Sequence, residues 1–259
     1  MRMAGEQGEE APGAILRRFY ATLLESFGPQ RWWPARTRWE VIWGAILTQN
    51  TTWRNATLAL KNLRKAGLLA WRPLRQISLR ELQQQIRPAG FYRQKARTLR
   101  NFAVWIEQAH GGSLDSLFSL GAARARAQLL ALPGIGPETA DAILLYSGGQ
   151  PVFVADAYTR RVLSRHKLLS PAADYPSAQQ FLHQHLPPDA ALFNEFHALL
   201  VEAAKRFCHR NVAHCEDCPL GKFLERNSKF ENRKSKMETR LATRVSIPRL
   251  RLWQEGEAL

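Results

Sequence analysis

The stretch Leu132-Pro133-Gly134-Ile135-Gly136-Pro137-Glu138-Thr139-Ala140 sets the reading of the whole chain. Two glycines without a Cβ let the backbone turn sharply, and a proline just after them suits the first position of a helix. The stretch therefore predicts a hairpin that opens a helix. At such an opening the first backbone N–H groups lack partners inside the helix, and together with the helix dipole they offer a site to a phosphate oxygen. A tight helix connection that holds no ligand carries the same signature, so the rest of the sequence has to decide between the two. Downstream come the apolar run Pro151-Val152-Phe153-Val154-Ala155 and then a single acid, Asp156.

Charge points toward a ligand. The 259 residues hold 37 Lys and Arg against 22 Asp and Glu, a formal net charge of +15. An excess of this size favours a polyanionic partner, nucleic acid first. An anionic membrane would attract the same charge, but the sequence has no long apolar span and no lipidation motif, and its acidic start, Met1 to Pro12, does not resemble a secretory signal. The expectation is a soluble, cytoplasmic, monomeric protein, nucleoid-associated if bacterial. Three cysteines fall within Cys208 to Cys218. An odd number packed so closely argues against a disulfide scaffold and toward a metal site or its remnant.

Apolar residues recur at helical spacing, as in Ile15-Phe19-Leu23, Val41-Ile42-Ala45-Ile46, Leu99-Phe102-Ile106 and Phe196-Leu199-Leu200-Ala203. Breaks fall at Gly28-Pro29, Gly67, Gly111-Gly112, Gly148-Gly149 and Pro187-Pro188. Strand-like alternation is confined to Pro151–Val154, which reads as extended chain leading into a helix near Asp156. The fold class is all-α. Residues 1–12 read as a flexible N-terminus. After Leu224 the composition turns to Arg226, Lys229, Arg233, Lys234, Lys236, Arg240 and Arg244, so 225–259 read as a basic, disordered tail, either an extra phosphate contact or a solvated terminus.

The hairpin, the segment Val154-Ala155-Asp156-Ala157-Tyr158-Thr159-Arg160-Arg161, the segment Ile46-Leu47-Thr48-Gln49-Asn50-Thr51 and the C-terminal cysteines follow one another in a familiar order. From Phe19 to Leu220 the chain resembles the endonuclease III superfamily of helix-hairpin-helix DNA glycosylases. Trp32-Trp33-Pro34, Pro88-Ala89-Gly90-Phe91-Tyr92 and Phe196-His197 are most similar to the branch that removes 3-methyladenine. The resemblance implies two helical lobes with a cleft between them: residues 40–149 form a bundle containing the hairpin, and residues 13–39 join 150–224. It also implies damaged double-stranded DNA as partner, a base flipped from the stack, and hydrolysis of the N-glycosidic bond with no cofactor required.

Within that family Asp156 takes the catalytic position; its alternative is a helix N-cap. Glu138 stands where bifunctional members place a lysine that attacks the sugar. A glutamate cannot form that adduct, so the expected enzyme is monofunctional, and Glu138 reads simply as an acid suited to the first turn of a helix. With Leu132, Gly134, Ile135, Gly136 and Thr139 it belongs to the expected DNA-contacting set. Gln49 joins them as the side chain that fills the gap left by the flipped base, unless it is an ordinary helix-end cap. Trp33, Pro34 and Trp53 match the base pocket, where flat aromatic faces suit an electron-poor methylated purine; packing in the core is the other reading. Cys208-x6-Cys215-x2-Cys218 supplies three of the four ligands of the family's [4Fe-4S] cluster, and Leu224 stands at the fourth. A decayed site, a cluster with an incomplete ligand set and a zinc site completed by a histidine are all open. Two rival functions remain: a noncatalytic DNA-binding protein, and a bifunctional glycosylase and abasic-site lyase acting on oxidised pyrimidines through Lys95 or Lys205.

Overall fold

The computed structural model describes residues 11–33 and 35–224. Among them are twelve α-helices: α1 (Pro12–Phe27), α2 (Arg38–Thr48), α3 (Trp53–Lys65), α4 (Trp71–Gln76), α5 (Leu79–Gln85), α6 (Tyr92–His110), α7 (Leu114–Phe118), α8 (Ala122–Leu130), α9 (Pro137–Ala142), α10 (Ala157–Arg165), α11 (Tyr175–His185) and α12 (Ala190–Arg206). A π-helical turn, Ile143–Ser147, continues α9. The described residues contain no strand, and Pro151–Val154 is extended and unpaired, as the sequence predicts. The helix starts are written locally. Thr37, Thr52, Ser113, Asp174 and Asp189 each accept a backbone N–H from the first turn that follows, and Ser78 with Glu81 forms a reciprocal capping box. Each cap satisfies an N–H that the helix leaves unpaired.

Residues up to Gly221 form one compact unit; of the second unit, Lys222–Leu259, the described part is Lys222–Leu224. The expected basic tail, 225–259, lies outside the described residues. Proline at N1 starts α1 at Pro12, at the edge of the segment expected to be flexible. In the first unit α1 packs on α11 and α12, and α10 packs on α12. Separately, α2 packs on α3, α6 and α9, while α4 and α5 pack on α6. Contact between α12 and the π-helical turn bridges the two groups. Phe19, Phe153, Phe193 and Phe196 fill the interior of the first group, and Trp43 and Phe102 that of the second; all six are fully buried. Among the described residues no helix is long and apolar enough to cross a membrane.

Two buried charges set the position of the hairpin. Asp141 on α9 is fully buried and accepts from Arg126 Nε (2.6 Å) and Nη2 (3.0 Å), Tyr175 Oη (2.9 Å) and Gln179 Nε2 (2.8 Å). It thereby ties the helix after the hairpin to α8 and α11. Lys95 on α6 is 3% exposed and donates from Nζ to the carbonyls of Leu47 (2.9 Å) and Ala89 (2.8 Å). Burial pushes its amine down to about 8. Because the folded state then binds fewer protons than the unfolded chain, Lys95 makes stability rise as pH climbs from about 8 toward the unfolded lysine value of about 10.4. Urea unfolding of wild type and Lys95→Met across that window should show the wild-type advantage growing with pH. An advantage that stays flat would contradict the buried ammonium.

Candidate active site

Gly134 lies at φ +90°, and a Cβ there would stand 2.2 Å from Thr98 Oγ1, so both backbone and packing demand glycine. Gly136 differs from the sequence expectation. Its φ of −93° and ψ of 177° suit any residue, so the turn does not require it. What it provides is open space: nothing lies within 4 Å of where its Cβ would be. Leu132 accepts the Ile135 N–H and closes the turn. Ile135 and Thr139 are buried, so the hairpin presents its main chain at Gly134 and Gly136 rather than those side chains. Gln49, at the C-cap of α2, reaches across to the hairpin. Its Nε2 donates to Gly134 O (2.9 Å) and Thr139 Oγ1 (2.8 Å).

Asp156 caps α10 and also faces the cleft. Oδ1 accepts the Thr159 N–H at 2.8 Å and caps α10, while Oδ2 lies 3.5 Å from His197 Nε2 on α12. Burial raises its pKa, but the His197 imidazole and the Thr159 N–H outweigh that effect and hold the carboxyl below the usual carboxylate range. Tyr146, from the π-helical turn, hydrogen-bonds His197 Nδ1. Burial, then the nearby charges of Asp156 and Glu138, push the Tyr146 hydroxyl well above its ordinary value, so it keeps its proton and donates it. Tyr146, His197 and Asp156 thus form a chain across the seam between the two helix groups.

The chain of polar groups faces a cleft of about 510 Å³ lined by Trp32, Trp33, Trp53, Gln49, Glu138, Tyr146, Asp156, His197 and Lys205, among others. That volume lies within the roughly 300–1,000 Å³ of small-ligand pockets. Trp32, Trp33 and Trp53 cluster with ring centroids 5.0–5.4 Å apart, and Tyr146 lies 5.3 Å from Trp33. Trp33 and Trp53 line the cleft; Pro34 lies outside the described residues. Lys205 holds its ammonium 5.8 Å from the Trp32 ring. Of the two lysines considered for lyase chemistry, Lys205 lines the cleft and Lys95 is buried among carbonyls.

Sequence reasoning misses four residues here. Trp32 is the neighbour of a predicted pocket residue, and the paired tryptophans were its signal. Tyr146 carries no signal in the sequence, and His197 enters it only through the Phe196-His197 resemblance. Phe91 is 65% exposed and held at φ +44°, in the left-handed region that bulky residues rarely adopt. It is the N-cap of α6 and closely follows Ala89, whose carbonyl shares the Lys95 ammonium with that of Leu47.

The cysteines are tied down differently. Arg165 Nη1 donates to Cys208 Sγ (3.0 Å), and Arg161 Nε donates to the Cys208 carbonyl (2.6 Å). Leu224 offers no thiolate, and among the described residues no group of three or more His, Cys, Asp or Glu side chains is placed to hold a metal ion. The residues present do not fit a four-thiolate cluster.

Comparison with known proteins agrees with this architecture. Residues 43–188 match the model of the HhH-GPD superfamily base excision DNA repair proteins. A Methanocaldococcus jannaschii protein named as a DNA repair glycosylase is 40% identical over 216 residues, covering 81% of this chain and 95% of its own. Among solved structures, Helicobacter pylori 3-methyladenine DNA glycosylase bound to 1,N6-ethenoadenine superposes with a TM-score of 0.66 at 28% identity, over 75% of this chain and 97% of that one. An endonuclease III–DNA complex shares the fold, with a TM-score of 0.72 at 21% identity over 85% of this chain and 98% of the other. The chain belongs to the HhH-GPD superfamily, the DNA glycosylases of base excision repair.

Proposed function

We propose that this enzyme removes an alkylated base from duplex DNA by hydrolysing the N-glycosidic bond and leaves the strand uncut. The observation that carries the reading is an ionised carboxylate, Asp156, at a tryptophan-walled cleft beside a bare-backed hairpin. The open main chain at Gly136 and the start of α9 receive a phosphate oxygen, which fixes the strand over the cleft. Flipping a nucleotide out of the stack costs about a few kcal/mol, which contacts in the pocket and the gap must return. Trp32, Trp33 and Trp53 stack on the flipped base, while Gln49 at the end of α2 occupies the space it vacates. Asp156 stabilises the positive charge that develops on the deoxyribose and takes the proton of the attacking water.

Glu138 supplies no amine for a Schiff base, so the product is an intact strand with an abasic site. Duplexes carrying 3-methyladenine, 7-methylguanine, an oxidised pyrimidine or uracil test this, with free base and strand length followed separately. The expected result is release of an alkylated purine and a strand that breaks only after alkali. Release of oxidised pyrimidine, with an adduct trapped by borohydride, would instead support lyase chemistry through Lys205.

A further inference from the structure

Glu138 has no hydrogen-bond or ion-pair partner among the described residues, although it lines the same cleft as Asp156. The groups that face it are Asp156 and Arg160 at the start of α10, His197 of α12, Tyr146 of the π-helical turn and Tyr175 of α11. We propose that Glu138 is a second catalytic group, the acid that protonates the departing base, and that the enzyme therefore acts on neutral lesions as well as cationic ones. This inference rests on the glycosylase reading of the cleft.

The two acids stand in opposite surroundings. Asp156 has a fixed N–H donor and an imidazole beside it, which favour its charged form. Glu138 has neither. Glu138 lies at the exposed lip of the cleft, and partial desolvation there, then the charge of Asp156, push its carboxyl above the usual range, against the weaker opposing pull of Arg160 and His197. Paired carboxyl groups whose environments drive them apart divide acid and base roles between them. Here Asp156 serves the sugar as an anion, and Glu138 is the carboxyl more readily protonated.

Leaving-group chemistry says where that proton is needed. A purine methylated at N3 or N7 is already cationic and departs as a neutral base. An uncharged lesion departs as an anion unless it gains a proton. As the C1′–N bond breaks, its electron pair passes to the base nitrogen and the Glu138 O–H proton goes to the base. Water then adds to the oxocarbenium carbon and gives its proton to Asp156. Proton exchange with solvent returns both acids to their starting forms, so the turnover consumes one water and yields neutral base and an abasic sugar hydroxyl.

The test compares wild type with Glu138→Gln in single-turnover release from duplexes carrying 1,N6-ethenoadenine or hypoxanthine, which are neutral, and 7-methylguanine, which is cationic, at several pH values. Wild-type release of the neutral bases should fall as pH rises through the Glu138 titration. The variant should lose about 10²-fold or more on them, the size of a general-acid contribution, and lack that alkaline fall. Its loss on 7-methylguanine should be smaller by at least about tenfold. Equal losses on both classes, or a wild type that releases 7-methylguanine and no neutral base, would overturn the acid assignment while leaving the glycosylase reading in place. A wild type that releases neither class would overturn both.

Discussion

Replacing Arg126 by methionine should cost the folded protein about 3 kcal/mol or more at neutral pH. Asp141 is fully buried, and Arg126 is the cation on its carboxylate, through a two-point contact at 2.6 and 3.0 Å. Removing one partner of a buried pair strands the other charge in a poorly solvated site, at a typical cost of about 3–5 kcal/mol. Methionine keeps much of the apolar stem, so the effect reports charge rather than volume. Tyr175 and Gln179 would still donate, but they are neutral and soften the loss without cancelling it. Burial and the Asp141 charge push the Tyr175 hydroxyl far above its ordinary value, so it stays a donor throughout. Urea unfolding gives the number, and the double variant Arg126→Met with Asp141→Asn should recover much of it by removing the stranded charge. A single-variant loss below about 1 kcal/mol would show that the neutral donors satisfy Asp141 unaided. Since Asp141 anchors the helix that follows the hairpin, the same variant should also weaken the grip on DNA.

What the sequence made legible was local. The hairpin, the caps and the helical period depend on residues within a turn or two of one another, and Thr37, Thr52 and Ser78 mark helix starts by their own side-chain chemistry. The cap at Asp156 was legible, and the same contact fixes its carboxylate at the cleft. Gly136 was misread because a glycine in sequence does not say whether it serves φ or space. The groups around Asp156 were hidden for a different reason. Tyr146 and His197 lie 51 residues apart and meet only when α12 packs on the π-helical turn. His197 is buried and Tyr146 half-buried, each in an apolar run where nothing in the spacing separates a positioning residue from core. Phe91 is plain in the structure because it is exposed and strained, two properties that residue type does not encode. The cysteine spacing signals a metal, but position 224 is a leucine, and Cys208 is held by hydrogen bonds from Arg161 and Arg165 of α10.

Asp156→Asn should lower base release by about 10²–10⁴-fold while leaving duplex binding within a few-fold of wild type. Asparagine caps a helix as well as aspartate does, so the Thr159 N–H keeps a partner and α10 keeps its start. The hairpin and the tryptophans, which bind strand and base in this account, are untouched. What disappears is the negative charge that answers the cationic sugar and the basic oxygen that accepts the water proton. Single-turnover release from the best alkylated duplex, with the dissociation constant of that duplex measured for both proteins, is therefore the most direct test. The account predicts matched binding and a collapse in rate. Equal rates in the two proteins, or a wild type that binds the duplex and releases no base, would contradict it and leave a hairpin that only holds DNA.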